Sequence, residues 1–364
     1  MKRIPWGNLL SIFATHYLIV MAATYAGQNL IAGRHGPLPI GETIVKGLTR
    51  WDGGWYLRIV ENGYNAKSAA FFPLYPMLIK GISFLGVNQK AAGLLISAVA
   101  FLMSLIVLYK LFMSDYPEDV SLRALWYLAV APTAFYFSAL YTESLFLVLM
   151  GTCLLMGRKK KWWACGVFLL LAALTRSLGV FLLVPILWDL WRTREASSVL
   201  DKLNFMPLLK VSVPLIAGLS GYMYFLWYKL GNPLAFMTAQ SYWRRQPAFP
   251  WSSILRAFEK VHVGNTWWNL LFTLVFLIIL VVSLKQLPPV YLLYGFIGIL
   301  VPLCTPALHS PLLSMPRFVV VLFPVYLALA LKVRSSTAHN VLITVSVTGL
   351  IYFNMLFALA RWVA

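Results

Sequence analysis

The chain has 364 residues, 60% of them hydrophobic and only 11% charged, against about 25% charged in a soluble globular protein. Thirty Lys and Arg against eleven Asp and Glu give a formal charge of +19, which in a soluble chain would suggest nucleic acid. In a chain this apolar, cytoplasmic loops rich in Lys and Arg are the simpler source, and no nucleic-acid partner is expected.

Apolar runs recur from end to end, and about eleven of them approach the roughly 20 residues that cross a hydrocarbon core. They fall at 8–30, 91–112, 121–140, 142–157, 162–176, 178–191, 210–230, 267–284, 289–306, 317–332 and 340–361. The first run is too long for a signal-peptide core and lacks a clear small-residue cleavage site, so it reads as a retained helix. The run 74–87 is apolar but short, and suits an interfacial helix. The fold class is therefore an all-α polytopic membrane protein, with 1–364 as a single membrane domain. Neither an internal repeat nor a low-complexity tract is visible.

Loop charge alternates along the chain. Lys2 and Arg3, Lys110 with Arg123, Arg158 to Lys161, Arg192 to Lys210, Lys285, and Lys332 with Arg334 all fall on one side if the N-terminus is cytoplasmic. The opposite, non-cytoplasmic side then receives a first outer loop (31–90), the turns near Tyr141-Thr142-Glu143 and Arg176-Ser177, a second large outer loop (231–266), and the loop 307–316. Nearly every polar group that looks out of place in an apolar chain lies in those segments.

In chain order, the first such group is Asp52, in RWDGGWYLRIVENGY (Arg50 to Tyr64), flanked by Trp51 and followed by Tyr56. An acid near the bilayer serves a function or finds a partner. Asp52 reads either as a general base toward an acceptor hydroxyl or as the cap of a helix at 53–61. AFFPLYP (Ala70 to Pro76) then marks a rigid entry into the short helix. Tyr141 and Glu143 lie in PTAFYFSALYTESLF, where Glu143 could bind a substrate hydroxyl, pair with an arginine or simply begin a helix. Arg176, in LTRSLG, needs an anion, either Glu143 or Asp52 or a lipid phosphate. Gln240, Trp243, Arg244 and Arg245 set flat apolar faces beside bidentate donors, a mixture suited to sugar or phosphate and equally to an amphipathic interfacial helix. Arg317, in SMPRF, reads as a phosphate ligand or as a snorkelling anchor. Cys153, Cys165 and Cys304 lack metal-ligand spacing, the five histidines form no HExxH pair, and no GxxxxGK loop is present.

RWDGGWYLRIVENGY, AFFPLYP, PTAFYFSALYTESLF, LTRSLG, PLAFMTAQSYW and SMPRF, in that order, resemble the PIG-V family of mannosyltransferases over about 50–320. The short, loop-poor form looks like the family's bacterial relatives. The resemblance implies a glycosyltransferase of the GT-C fold in the cell membrane, with its site on the non-cytoplasmic face and a catalytic acid in the first outer loop, where Asp52 falls. It implies inverting transfer of a hexose, mannose by analogy, from a polyprenyl-phosphate donor to a lipid-linked or glycan acceptor. The arginines would meet the phosphate, and Tyr141 and Glu143 sugar hydroxyls. No cofactor is expected, because arginines can neutralise a phosphodiester, although relatives of similar fold use a divalent ion. Two other classes explain many spans with intramembrane charges: a lipid or sugar-lipid transporter, which predicts repeated halves and interrupted helices, and a non-catalytic assembly subunit.

Overall fold

A computed structural model describes residues 4–32, 39–195 and 205–363. Among these the chain is helical, and the only strand-like pairing is a single antiparallel bridge between Arg245 and Ala307. Lys2, Arg3 and 196–204 of the basic Arg192–Lys210 loop lie outside the described residues. Sixteen helices are used below: α1 Trp6–Ala32, α2 Ile40–Leu48, α3 Asp52–Asn62, α4 Leu74–Ser83, α5 Gln89–Phe112, α6 Glu118–Ala129, α7 Glu143–Arg158, α8 Trp162–Ala173, α9 Leu183–Glu195, α10 Met206–Leu230, α11 Pro250–Glu259, α12 Thr266–Val281, α13 Pro289–Leu303, α14 Met315–Val319, α15 Phe323–Lys332 and α16 Ser336–Ala358.

Four of them, over Trp6–Leu30, Gln89–Phe112, Met206–Leu230 and Ser336–Ala358, are long and apolar enough to cross a membrane. Shorter apolar helices, among them α8, α12, α13 and α15, accompany them. The ends of these helices sort into two groups. At one end Asp115 accepts two hydrogen bonds from Arg158 at 3.1 Å and one from the Tyr291 hydroxyl at 2.7 Å. Arg123 donates to Val333 O at 2.9 Å there, and Lys332 to Val282 O at 3.0 Å. The loops around Lys110, Arg158, Lys285 and Lys332, separated in sequence by whole helices, thus meet at one end of the bundle. Asp52 and the other singled-out groups are at the opposite end.

Two apolar runs that read as continuous spans, 121–140 and 317–332, are broken, and the pair 162–176 and 178–191 leaves the α-helix between Leu174 and Leu182, around the expected turn at Arg176-Ser177. The run 121–140 is helical only to Ala129, and Pro132 follows; proline disfavours helix at the residue before it. The run 162–176 stops at Ala173, and 178–191 begins as a 3₁₀ turn over Ser177–Leu182. The run 317–332 is divided between α14 and α15, with Pro324 in the first turn of α15, where its missing N–H costs nothing. Interruptions inside a membrane protein must have their backbone groups satisfied by neighbours. Here they are. His16 Nδ1 donates to Ala129 O at 2.7 Å, Ser97 to Ala139 O at 2.8 Å, Thr133 to Pro316 O at 3.0 Å, Tyr294 to Val321 O at 2.9 Å and Tyr326 to Val320 O at 3.1 Å.

Candidate active site

Asp52 is the first residue of α3, not its cap. The cap is Trp51, whose side chain makes no capping bond and whose φ of 52° is unusual for a bulky residue. Two contacts fix this entry. The Asp52 N–H donates to the Tyr141 hydroxyl at 3.2 Å, and Gly53 presses on Leu140, where an added Cβ would come within 3.2 Å of the Leu140 carbonyl oxygen. The segment around Asp52 is thereby docked on the irregular segment 130–142.

The Asp52 carboxylate pairs with Arg317, and Glu143 pairs with Arg176. Arg317 joins the two pairs, its Nε lying 3.1 Å from Glu143 Oε1 without the alignment of a hydrogen bond. The order is Asp52, Arg317, Glu143, Arg176. Glu143 is fully buried, whereas the side chains of Asp52 and Arg317 keep 14% and 15% of their exposure. Asp52 and Arg317 are thus partly open to solvent, and Glu143 is closed off behind its arginines. Glu143 stands at the first turn of α7, a position that favours an acid, and its role here is to hold two guanidinium groups. Glu143→Gln is expected to cost about 3–5 kcal/mol of stability, the range for breaking a buried ion pair by removing one partner. A lowered thermal unfolding midpoint of the purified variant in lipid would register it.

Three guanidinium groups surround one ring. Arg176, Arg245 and Arg317 lie 5.5, 5.7 and 5.3 Å from the Phe318 centroid, and Arg317 is also 5.4 Å from that of Tyr141. Arg245 is positioned by backbone, donating to Thr305 O at 2.9 Å and to Leu313 O at 3.2 Å. Among the described residues it has no carboxylate within ion-pair distance. Burial, and then the nearby Arg317, push its guanidinium down to about 10, still protonated at neutral pH. With three arginines and two carboxylates the cluster carries 3 − 2 = +1.

The remaining sequence candidates sit around this cluster in different ways. Arg244, with a left-handed φ of 52°, turns away to the exposed His309. Gln240 contributes its backbone carbonyl to the Arg245 N–H at 3.2 Å. Trp243 packs edge-on against Trp55 and Phe71, with centroids at 5.8 and 5.7 Å. Tyr56 is buried behind Asp52, against Phe71 and Tyr75. Trp51 is exposed and meets Trp362 edge-on at 5.0 Å. Sequence reasoning missed Phe318, although it adjoins Arg317 in a motif already singled out. It also missed Leu140, whose wedge position only the glycines at 53 and 93 could have hinted at: a Cβ on Gly93 would fall 2.6 Å from Leu140 Cγ. Among the described residues no three His, Cys, Asp or Glu side chains gather as a metal cage, and the two acids of the site are each held by arginine.

Fold and site together define a polytopic membrane protein with a buried acid–arginine cluster, accessible from one end of its helices. The family model described as Mannosyltransferase (PIG-V) matches residues 40–228, and the chain belongs to that family. The match takes in Asp52, Tyr141, Glu143 and Arg176 and ends before Arg245 and Arg317, short of the 50–320 read from the motifs. The chain is 32% identical over 129 residues to GPI mannosyltransferase 2 of Drosophila pseudoobscura pseudoobscura, covering 31% of this chain and 28% of that protein. It is 33% identical over 153 residues to GPI alpha-1,6-mannosyltransferase 2 of Rattus norvegicus and 30% over 152 residues to that of Mus musculus, each covering 38% of this chain and 31% of the relative. The chain thus matches under a third of the length of these relatives.

Proposed function

We propose that the protein is a membrane glycosyltransferase that moves mannose from a polyprenyl-phosphate donor to a hydroxyl of a lipid-linked or glycan acceptor, with inversion. The observation that carries this reading is an accessible carboxylate, Asp52, tied to an arginine that a phosphate could take over, beside a second arginine with no carboxylate of its own. Family membership supports the sugar and the reaction class.

In this mechanism the donor phosphate lies between Arg245 and Arg317 and displaces Asp52 from Arg317. Glu143 keeps Arg317 in place during the exchange, because it engages Nε and leaves the Nη atoms to the ligand. The freed Asp52 takes the proton of the acceptor hydroxyl. The acceptor oxygen bonds to the anomeric carbon from the face opposite the phosphate, and the carbon–oxygen bond to phosphate breaks with its electron pair leaving on the phosphate. The leaving group gains a full negative charge, and the fixed guanidinium groups are worth most at that moment. No step requires a metal. The cell membrane is the proposed location, with the Asp52 end on the non-cytoplasmic side, a reading that the alternation of basic loops supports.

The interrupted helices around the site also fit a transporter of lipid-linked sugar. One experiment separates the two. Purified protein in liposomes receives radiolabelled polyprenyl-phosphate mannose and a membrane lipid extract. A new labelled lipid or glycan is expected. Donor crossing the bilayer with no new product, and no transfer from glucose or arabinose donors either, would overturn the transferase reading in favour of transport.

A further inference from the structure

Helix α11 (Pro250–Glu259) is joined to Arg245 by residues 246–249 and has three distinct sides. At 100° per residue, Ser253 and Ala257 share one side. Both are buried, α11 packs on α12 and α13, and the Ser253 hydroxyl donates to Leu303 O at 2.6 Å. Trp251, Leu255 and Phe258, spaced i, i+4, i+7, form a second side and are 60%, 60% and 55% exposed. Arg256 and Glu259 occupy the third and are exposed as well. Small residues thus face the protein, large apolar residues face outward, and charge is confined to one flank.

A helix in water would show its charges where this one shows Trp, Leu and Phe. The stripe does not end with α11. Exposed Val263 follows, and then α12 presents Trp267, Leu271, Val275 and Ile278 outward at helical spacing, the side an apolar helix turns to lipid. Before α11, exposed Phe249 stacks on Trp251 with centroids 4.7 Å apart. Tryptophan is enriched at the boundary of headgroups and acyl chains.

We infer that α11 is a membrane-surface helix. It lies flat in the leaflet at the Asp52 end, with Trp251, Leu255 and Phe258 immersed among lipid chains and Arg256 and Glu259 in water. Its linker is clamped to the next loop, Gln246 N–H donating to Pro306 O at 3.2 Å and Ala248 N–H to Cys304 O at 2.9 Å. The depth of α11 therefore sets the depth of Arg244 and Arg245, and places them at the level of lipid headgroup phosphates.

The test reads depth directly and does not depend on any turnover. Leu255→Cys, Phe258→Cys and Arg256→Cys variants are made in a Cys304→Ala background, since Cys153 and Cys165 are buried. Each is spin-labelled in phosphatidylcholine–phosphatidylglycerol nanodiscs, with monodisperse protein as the check on folding. Collision with oxygen, which partitions into lipid, is compared with collision with a nickel chelate, which stays in water. Labels at 255 and 258 are expected to favour oxygen several-fold over the label at 256. Equal access of nickel to all three would place α11 in water, and labels at 255 and 258 shielded from both reagents would mean a second protein surface covers the stripe. Either result overturns the inference.

Discussion

Replacing Asp52 by asparagine is expected to lower transfer by about 10²–10⁴-fold, the range for losing a positioned base, while the protein stays folded and binds its lipid-phosphate ligand more tightly. Asparagine keeps the shape of the side chain but cannot accept the acceptor's proton. It also gives up the ion pair with Arg317. The cluster of Arg176, Arg245 and Arg317 against Asp52 and Glu143 then goes from +1 to 3 − 1 = +2, and Arg317 is no longer occupied by a competing carboxylate. Opposite effects on turnover and on ligand affinity separate this account from a structural one, in which Asp52 only braces Arg317. Transfer rates and donor binding, measured on the same preparation, check both halves. Retained turnover would remove Asp52 as the base.

Arg317→Lys is expected to be nearly as harmful to transfer, and unlike Asp52→Asn it weakens binding as well. One guanidinium serves two anions at once, Nη1 toward Asp52 and Nε toward Glu143. An ammonium is a single point charge and cannot span both positions or present a fork to phosphate. Drawn toward the fully buried Glu143, it would leave the ligand position; drawn outward, it would leave Glu143 with Arg176 alone. The expected result is an apparent donor KM raised by about tenfold or more, equivalent to the roughly 1.4 kcal/mol of one good charged hydrogen bond, together with a reduced kcat. Wild-type donor affinity in this variant would reduce Arg317 to an anchor.

Much of the architecture was legible because hydropathy and loop charge are local signals. Spans, the short helix at 74–87 and the alternation of basic loops follow from composition within windows of 15 to 20 residues or so. The turn at Arg176-Ser177 was legible, but the breaks within 121–140 and 317–332 were not, because a buried irregular segment such as 130–142 is as apolar as a helix. Only Pro132 and Pro324 carried a hint, and what makes the breaks tolerable, such as His16 capping Ala129, comes from remote parts of the chain. The candidate residues were legible as polar groups out of place, and their gathering at one end follows from the alternation. Their pairings were not. Asp52 and Arg317 are 265 positions apart, and spacing alone left Arg176 a choice between Glu143, Asp52 and a ligand. Nor could sequence say which arginine lacks a carboxylate, since that depends on the backbone carbonyls of Thr305 and Leu313 closing around Arg245.

In the proposed mechanism a lipid phosphate takes the place of Asp52 on Arg317. Titrating labelled polyprenyl phosphate onto wild type and Asp52→Asn in nanodiscs tests it most directly. Tighter binding by Asp52→Asn is the predicted result. Unchanged or weaker binding would contradict the claim, because it would mean that Asp52 and the phosphate never compete for the same arginine.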